Sequence, residues 1–155
     1  MDIIDILIYE NGDGGELQLR NEDLQVSKAL TNQVYLALFG GNIEENTSGG
    51  MEDREQREDY WGNELLEAEH QFNSNFEREL KKQPLTSGGI SKLEDAAKRD
   101  LEFLQDYADI EVEGFAPKPY MLELYVTLIH PDVDSVKIKF VWDSQKQEFY
   151  EQKII

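Results

Sequence analysis

Residues 109–155 read "DIEVEGFAPKPYMLELYVTLIHPDVDSVKIKFVWDSQKQEFYEQKII". Four runs of β-type residues, "DIEVEGFA", "YMLELYVTLIH", "SVKIKFVWD" and "EFYEQKII", are divided by "PKP", "PDVD" and "SQKQ", which are turn-forming or polar. Side chains alternate between the two faces of a strand. Val136, Ile138, Phe140 and Trp142 therefore share one face, and Lys137, Lys139 and Val141 share the other. An antiparallel sheet of about four strands is expected, with the last strand at an edge. Edge strands can pair with another chain unless guarded, and Lys137, Lys139 and Lys153 are candidate guards.

Upstream of this region the period changes from two to that of a helix. Leu93, Ala97, Leu101, Leu104 and Ala108 form one apolar stripe, and Ser91 with Glu94 reads as a capping box at its start. Pro84 and "SGG" at 87–89 read as a break before it. A second helix is expected through "FERELKKQ", with "NSN" at 73–75 interrupting it from an earlier one. That earlier helix is predicted through "ELLEAEHQF", with Asn63 as its cap and Leu65, Leu66, Glu69 and Phe72 at helical spacing. Near the N-terminus, Ile4, Ile6 and Ile8 alternate, "NGDGG" can turn the chain, and Leu17 and Leu19 alternate again, which predicts a β-hairpin. Asn21–Asp23 make a second turn. Ser27 then caps a predicted helix through "KALTNQVYLALF", with Leu30, Val34, Ala37 and Leu38 on one face and Gly40 and Gly41 at its stop. The expected class is α+β: an N-terminal β-hairpin, about three helices, and the C-terminal sheet with the helices on one face. A length of 155 residues fits one domain over residues 1–155.

Residues 42–59 contain seven acids among 18 residues and only Ile43 and Met51 as apolar side chains, so a mobile acidic loop is expected. It ends at "REDYWGNELL". Tyr60 and Trp61 there can either anchor the returning chain on the core or contact a partner, since both ring types are frequent interface anchors.

The net charge is −18, with 14 acids against 4 bases up to Asn63 and 19 against 11 from Glu64 onward. So uniform an acid excess disfavours binding to nucleic-acid phosphates or anionic membranes, which need clustered Lys and Arg. With no cysteine there is no disulfide framework, thiolate site or Cys nucleophile. The opening "MDIIDILIYENG" lacks the basic n-region of a signal peptide, and no apolar run approaches the roughly 20 residues of a membrane span.

Catalytic and metal motifs are weak. Acidic pairs are abundant, and a glycosidase uses two carboxylates, but 33 acids place some pair together by chance. Glu67 and His70 have the i, i+3 spacing of a metal half-site without a second copy, and Asp132 and Asp134 are too few for a calcium loop. "NGDGGE" is not followed by the Lys and helix of a phosphate loop, and no G-x-S-x-G occurs. The expectation is a non-enzyme without cofactor or metal.

"LQLRNEDLQ", "LALFGG", "YWGNELL" and "LTSGGISKLEDAAKRDLEFL" occur in an order that resembles the Mu-like bacteriophage baseplate protein family. That family is similar to the small wedge protein of contractile tails, also called the sheath initiator and sometimes labelled a tail lysozyme. The resemblance spans nearly the whole chain. It implies a structural part of a phage or prophage baseplate, bound to wedge proteins, on which the tail sheath begins by strand addition. It also implies a place in the virion tail, reached by assembly in the host cytoplasm. Trp61 and Gly62 are carried over as structural markers. Better-known relatives have a Glu-Pro-Arg motif near the end of the long helix; here "QDYADIEV" has neither Pro nor Arg, so no residue is carried over from it. The interface expected on this basis comprises Tyr60, Trp61, Gly62, Asn63, Lys137, Lys139, Phe149 and Tyr150. An edge left unused in the isolated chain offers a route to a homo-oligomer. Two other functions compete: a cell-wall hydrolase using an acidic pair, and an acidic inhibitor that mimics DNA.

Overall fold

The structure, a computed structural model, describes residues 4–10, 15–17, 19–28, 30–41, 61–132 and 134–155. The expected acidic loop at 42–59, and Tyr60 with it, lie outside the described residues.

The N-terminal hairpin is a ribbon of three short antiparallel pairs. Strand β1 (Ile4–Ile6) pairs with β6 (Val26–Lys28), β2 (Ile8–Glu10) with β3 (Gly15–Leu17), and β4 (Leu19–Arg20) with β5 (Asp23–Leu24). Asn21 and Glu22 join β4 to β5 with φ of 53° and 65°, the sign that a two-residue hairpin turn of type I′ requires at both central positions. Ser27 is not the cap of the first helix. It lies in β6 opposite Asp5, and the ladder to β1 occupies this backbone, so α1 forms only at Thr31–Phe39. Leu30, Val34, Ala37 and Leu38 are buried, as their spacing predicts.

Asn32 in α1 is buried and binds the ribbon at two points. Its Oδ1 accepts the Ile8 N–H at 3.0 Å, and its Nδ2 donates to the Ile6 carbonyl at 2.6 Å. Leu7, between these two contacts, is buried and its N–H donates to the Gln25 carbonyl at 2.8 Å. One side chain thus supplies the donor and acceptor that a neighbouring strand would.

The same device recurs after the undescribed segment. The helix predicted from Asn63 does not form; the chain makes two 3₁₀ turns, Trp61–Leu65 and Ala68–His70. Asn63 is fully buried, accepting the Phe72 N–H and donating to the Phe72 carbonyl, both at 2.9 Å. In this arrangement Leu65 and Leu66 are exposed and form no packed helical stripe. Ser74 then ties the segment to α1: its N–H donates to the Gly41 carbonyl at 2.9 Å and its Oγ to the Leu38 carbonyl at 2.5 Å. Ser74 Oγ also accepts the Glu77 N–H, capping α2 (Asn75–Lys82).

The long helix α3 (Ser87–Asp100) starts four residues before the predicted capping box. Its cap is Thr86, whose hydroxyl accepts the Gly89 N–H at 3.3 Å. The "SGG" taken as a break is its first turn, and glycine is needed at 89 because a Cβ there would collide with the Pro84 carbonyl. Glu94 lies inside the helix and accepts instead the Gly114 N–H at 2.7 Å. A Cβ on Gly114 would come within 2.8 Å of Ile90 Cγ2, so glycine lets α3 sit close on the sheet. The stripe Leu93, Ala97, Leu101, Leu104 and Ala108 is buried throughout, although beyond Asp100 it continues as a 3₁₀ turn, Glu102–Asp106. At the end of α3 the Asp100 carboxylate accepts the Phe76 N–H and an Asn75 Nδ2–H, each at 2.7 Å, at the start of α2. Burial pushes this carboxyl above its ordinary value and outweighs those two hydrogen bonds.

The C-terminal sheet has the predicted four strands: β7 (Asp109–Lys118), β8 (Met121–Ile129), β9 (Val136–Asp143) and β10 (Glu148–Ile154), in antiparallel order β10-β9-β8-β7. Val112, Leu122, Leu124, Val126, Ile138, Phe140 and Trp142 pack from its inner face against the helices in one core. Fully burying a side chain such as Phe76 or Phe140 contributes about 1.5–3 kcal/mol.

Replacing Asn63 by alanine leaves the Phe72 N–H and carbonyl without these two partners in a part-buried place. The expected loss is about 2–4 kcal/mol in urea unfolding, because each orphaned group costs about 1–3 kcal/mol. Asn63→Asp restores an acceptor for the N–H but sets a carboxylate against the carbonyl, and at neutral pH it should destabilise no less than alanine.

Candidate protein-interaction surface

One face of the sheet meets the helices; the other faces outward. Cross-strand register assembles its rows: Glu113, Tyr125 and Lys139 lie side by side, as do Phe115, Glu123 and Val141. Tyr125 is at the centre. Its hydroxyl donates to Glu123 Oε2 at 2.9 Å, and Glu123 Oε1 meets Lys139 Nζ at 2.8 Å. Lys137 Nζ lies 3.6 Å from Glu113 and 4.9 Å from the Tyr125 ring centroid, and Lys139 Nζ lies 5.9 Å from that centroid. Phe115 stands edge-on to Tyr125 at 5.8 Å and is itself exposed. Both cations therefore border one ring, each also paired with a carboxylate.

The hydrogen bond from Lys139 holds the Glu123 carboxyl below its ordinary value, with smaller help from Tyr125. The Tyr125 phenol is raised, chiefly because its proton is shared with Glu123. These groups order one another, which fixes a polar, aromatic surface in place before anything binds it.

Of the residues expected from sequence to form an interface, the described side chains do not come together. Lys137 and Lys139 belong to this outer face, but on β9, an interior strand, so they guard no edge. Lys153 does lie on the edge strand β10, opposite Lys139. Phe149 turns inward, 4.2 Å from the Phe39 ring and 4.8 Å from the Trp142 ring, so it belongs to the core. Tyr150 occupies an irregularity in the ladder between Phe149 and Glu151. Gly62 and Asn63 are buried among the helix-layer segments. Trp61 begins a 3₁₀ turn; its side chain, like that of Tyr150, lies outside the described residues. Phe115, Glu123 and Tyr125 were not singled out from sequence, although their odd-numbered alternation opposite Leu122, Leu124 and Val126 was available as a signal.

Glu67 and His70 do approach each other, with Glu69, to within 4.8 Å. All three are exposed on a short turn, the arrangement of solvated side chains. Among the described residues no helix is long and apolar enough to cross a membrane. No family model, curated protein or solved structure matches the chain.

Because its folded value is depressed, Glu123 adds stability that is present above its unfolded value near 4.5 and is lost as pH falls through the folded value. A carboxyl-detected NMR titration should show Glu123 protonating below pH 4.5, and Lys139→Met should move the midpoint upward.

Proposed function

We propose that this chain is a structural, non-enzymatic component of a contractile-tail baseplate that binds wedge proteins and nucleates the tail sheath. The observation that carries the reading is the outward sheet face, where the exposed Phe115 stands beside the half-buried Tyr125, Lys137 and Lys139. Aromatic rings with neighbouring charges are what protein interfaces use as anchors. The order of elements also supports it: ribbon, helix, acidic segment, Trp-Gly-Asn, long helix and C-terminal sheet is the order the resemblance to the Mu-like baseplate family rests on. Strand β10 at the sheet edge is the element expected to exchange strands with the sheath, although β2 lies beside it. Asp100, a carboxyl raised as a general acid's would be, is committed to the junction of α2 and α3, and this supplies nothing specific to a hydrolase.

Co-expression with wedge and sheath subunits of a contractile tail tests the reading. The protein should co-purify with at least one of them, and Phe115→Asp combined with Lys137→Glu should weaken that capture about tenfold or more, the effect of losing a central anchor. Clearing of peptidoglycan by the purified protein, or salt-sensitive capture of a DNA-binding protein in place of tail subunits, would overturn it.

A further inference from the structure

The N-terminal ribbon carries a second surface on the opposite end of the chain from the sheet. Ile6 stands directly opposite Val26 in the β1–β6 pair, and Leu19 directly opposite Leu24 in the β4–β5 pair. Leu24 and Val26 are two residues apart, so alternation places them on a common face, and Leu17 and Leu19 are also exposed. All five are exposed, from 40% at Ile6 to 67% at Leu19. Isolated exposed leucines are ordinary, but paired and consecutive ones form a continuous apolar stripe, and such stripes mark interaction sites.

The ribbon backbone beside the stripe is fixed to the helix layer. Leu7, between Ile6 and Ile8, is buried, and the Asn32 amide grips the backbone on both sides of it at 2.6 and 3.0 Å. A one-residue slip would break both contacts. The surface is therefore preorganised, which lowers the ordering cost of binding.

We infer that this stripe docks an amphipathic helix of another protein, one with Lys or Arg flanking its apolar side chains. The charge of the rim selects that partner. Among the described side chains of the ribbon, Asp5, Glu22 and Asp23 are exposed around the stripe with one exposed cation, Arg20, which sits opposite Asp23. A second copy of this chain would bring the same acidic rim, and a net charge of −18, against itself. A basic helix meets the apolar stripe with leucines and the rim with opposite charge, which also speeds its encounter. The surface stands apart from the baseplate reading, since the partner is defined only by its chemistry.

The probe is a helical peptide with Leu at i, i+3, i+4 and i+7 and Lys elsewhere, added to the full-length protein and followed by amide chemical shifts. Shifts should cluster on residues 5–8, 17–26 and not on β7–β9. The same peptide with Glu for Lys should bind far more weakly, and Leu19→Ser with Leu24→Ser should weaken the Lys peptide about tenfold or more. Because Leu19 and Leu24 are exposed, unchanged far-ultraviolet circular dichroism is expected for that variant. A scrambled peptide of equal charge that bound as well, shifts confined to the sheet, or dimerisation of the protein alone through this ribbon would overturn the inference.

Discussion

A side-chain amide withdrawn from water is tolerable only when its donor and its acceptor both find partners, and in this fold two asparagines meet that condition against backbone. Asn32 reaches from α1 to the carbonyl of Ile6 and the N–H of Ile8; Asn63 holds the carbonyl and N–H of Phe72. Each presents the pattern of an adjacent strand, and each is placed where no strand is available. The first attaches the ribbon to the helix layer. The second, with Ser74, returns the chain to the end of α1 after a segment of high charge. Leaving any of these groups unmet in the interior costs more than a typical hydrogen bond contributes, so the clamps specify the arrangement as well as stabilise it.

What remains is a division of labour between the faces of the sheet. The inner face, with α1, α2 and α3, makes the core; Gly114 and the Glu94 carboxylate let α3 close on β7. The outer face is then free to carry charge and aromatic rings, and Glu123, Tyr125 and Lys139 order them mutually. The ordered outer face is the physical basis of the proposal that the chain works by holding neighbours.

Periodic segments were readable from sequence because their burial follows from geometry alone. The four C-terminal strands and the stripe from Leu93 to Ala108 are of this kind. Errors arose where a polar residue had two uses. Asn63 before acidic residues reads as a helix cap, and only the approach of Phe72, nine positions away, turns it into a clamp. Ser91 and Glu94 match a capping box, yet Thr86 and the small size of Gly89 start the helix earlier. Ser27 is a good cap in isolation, but pairing with Asp5 across the ribbon claims its backbone. The outer-face residues were legible as alternating positions and illegible as a site, since their grouping depends on strand order.

The clamps can be tested without altering them, by native-state hydrogen exchange of the Phe72 and Ile8 amides. Both donate to asparagine side chains and belong to no helix or regular strand ladder at that bond. If the asparagines join ribbon and return segment to the core, these two amides open only with the whole molecule, sharing the opening free energy and denaturant slope of the β8 amides. Exchange of either at a much lower free energy, with little dependence on denaturant, would show that the clamps are local and would contradict the account.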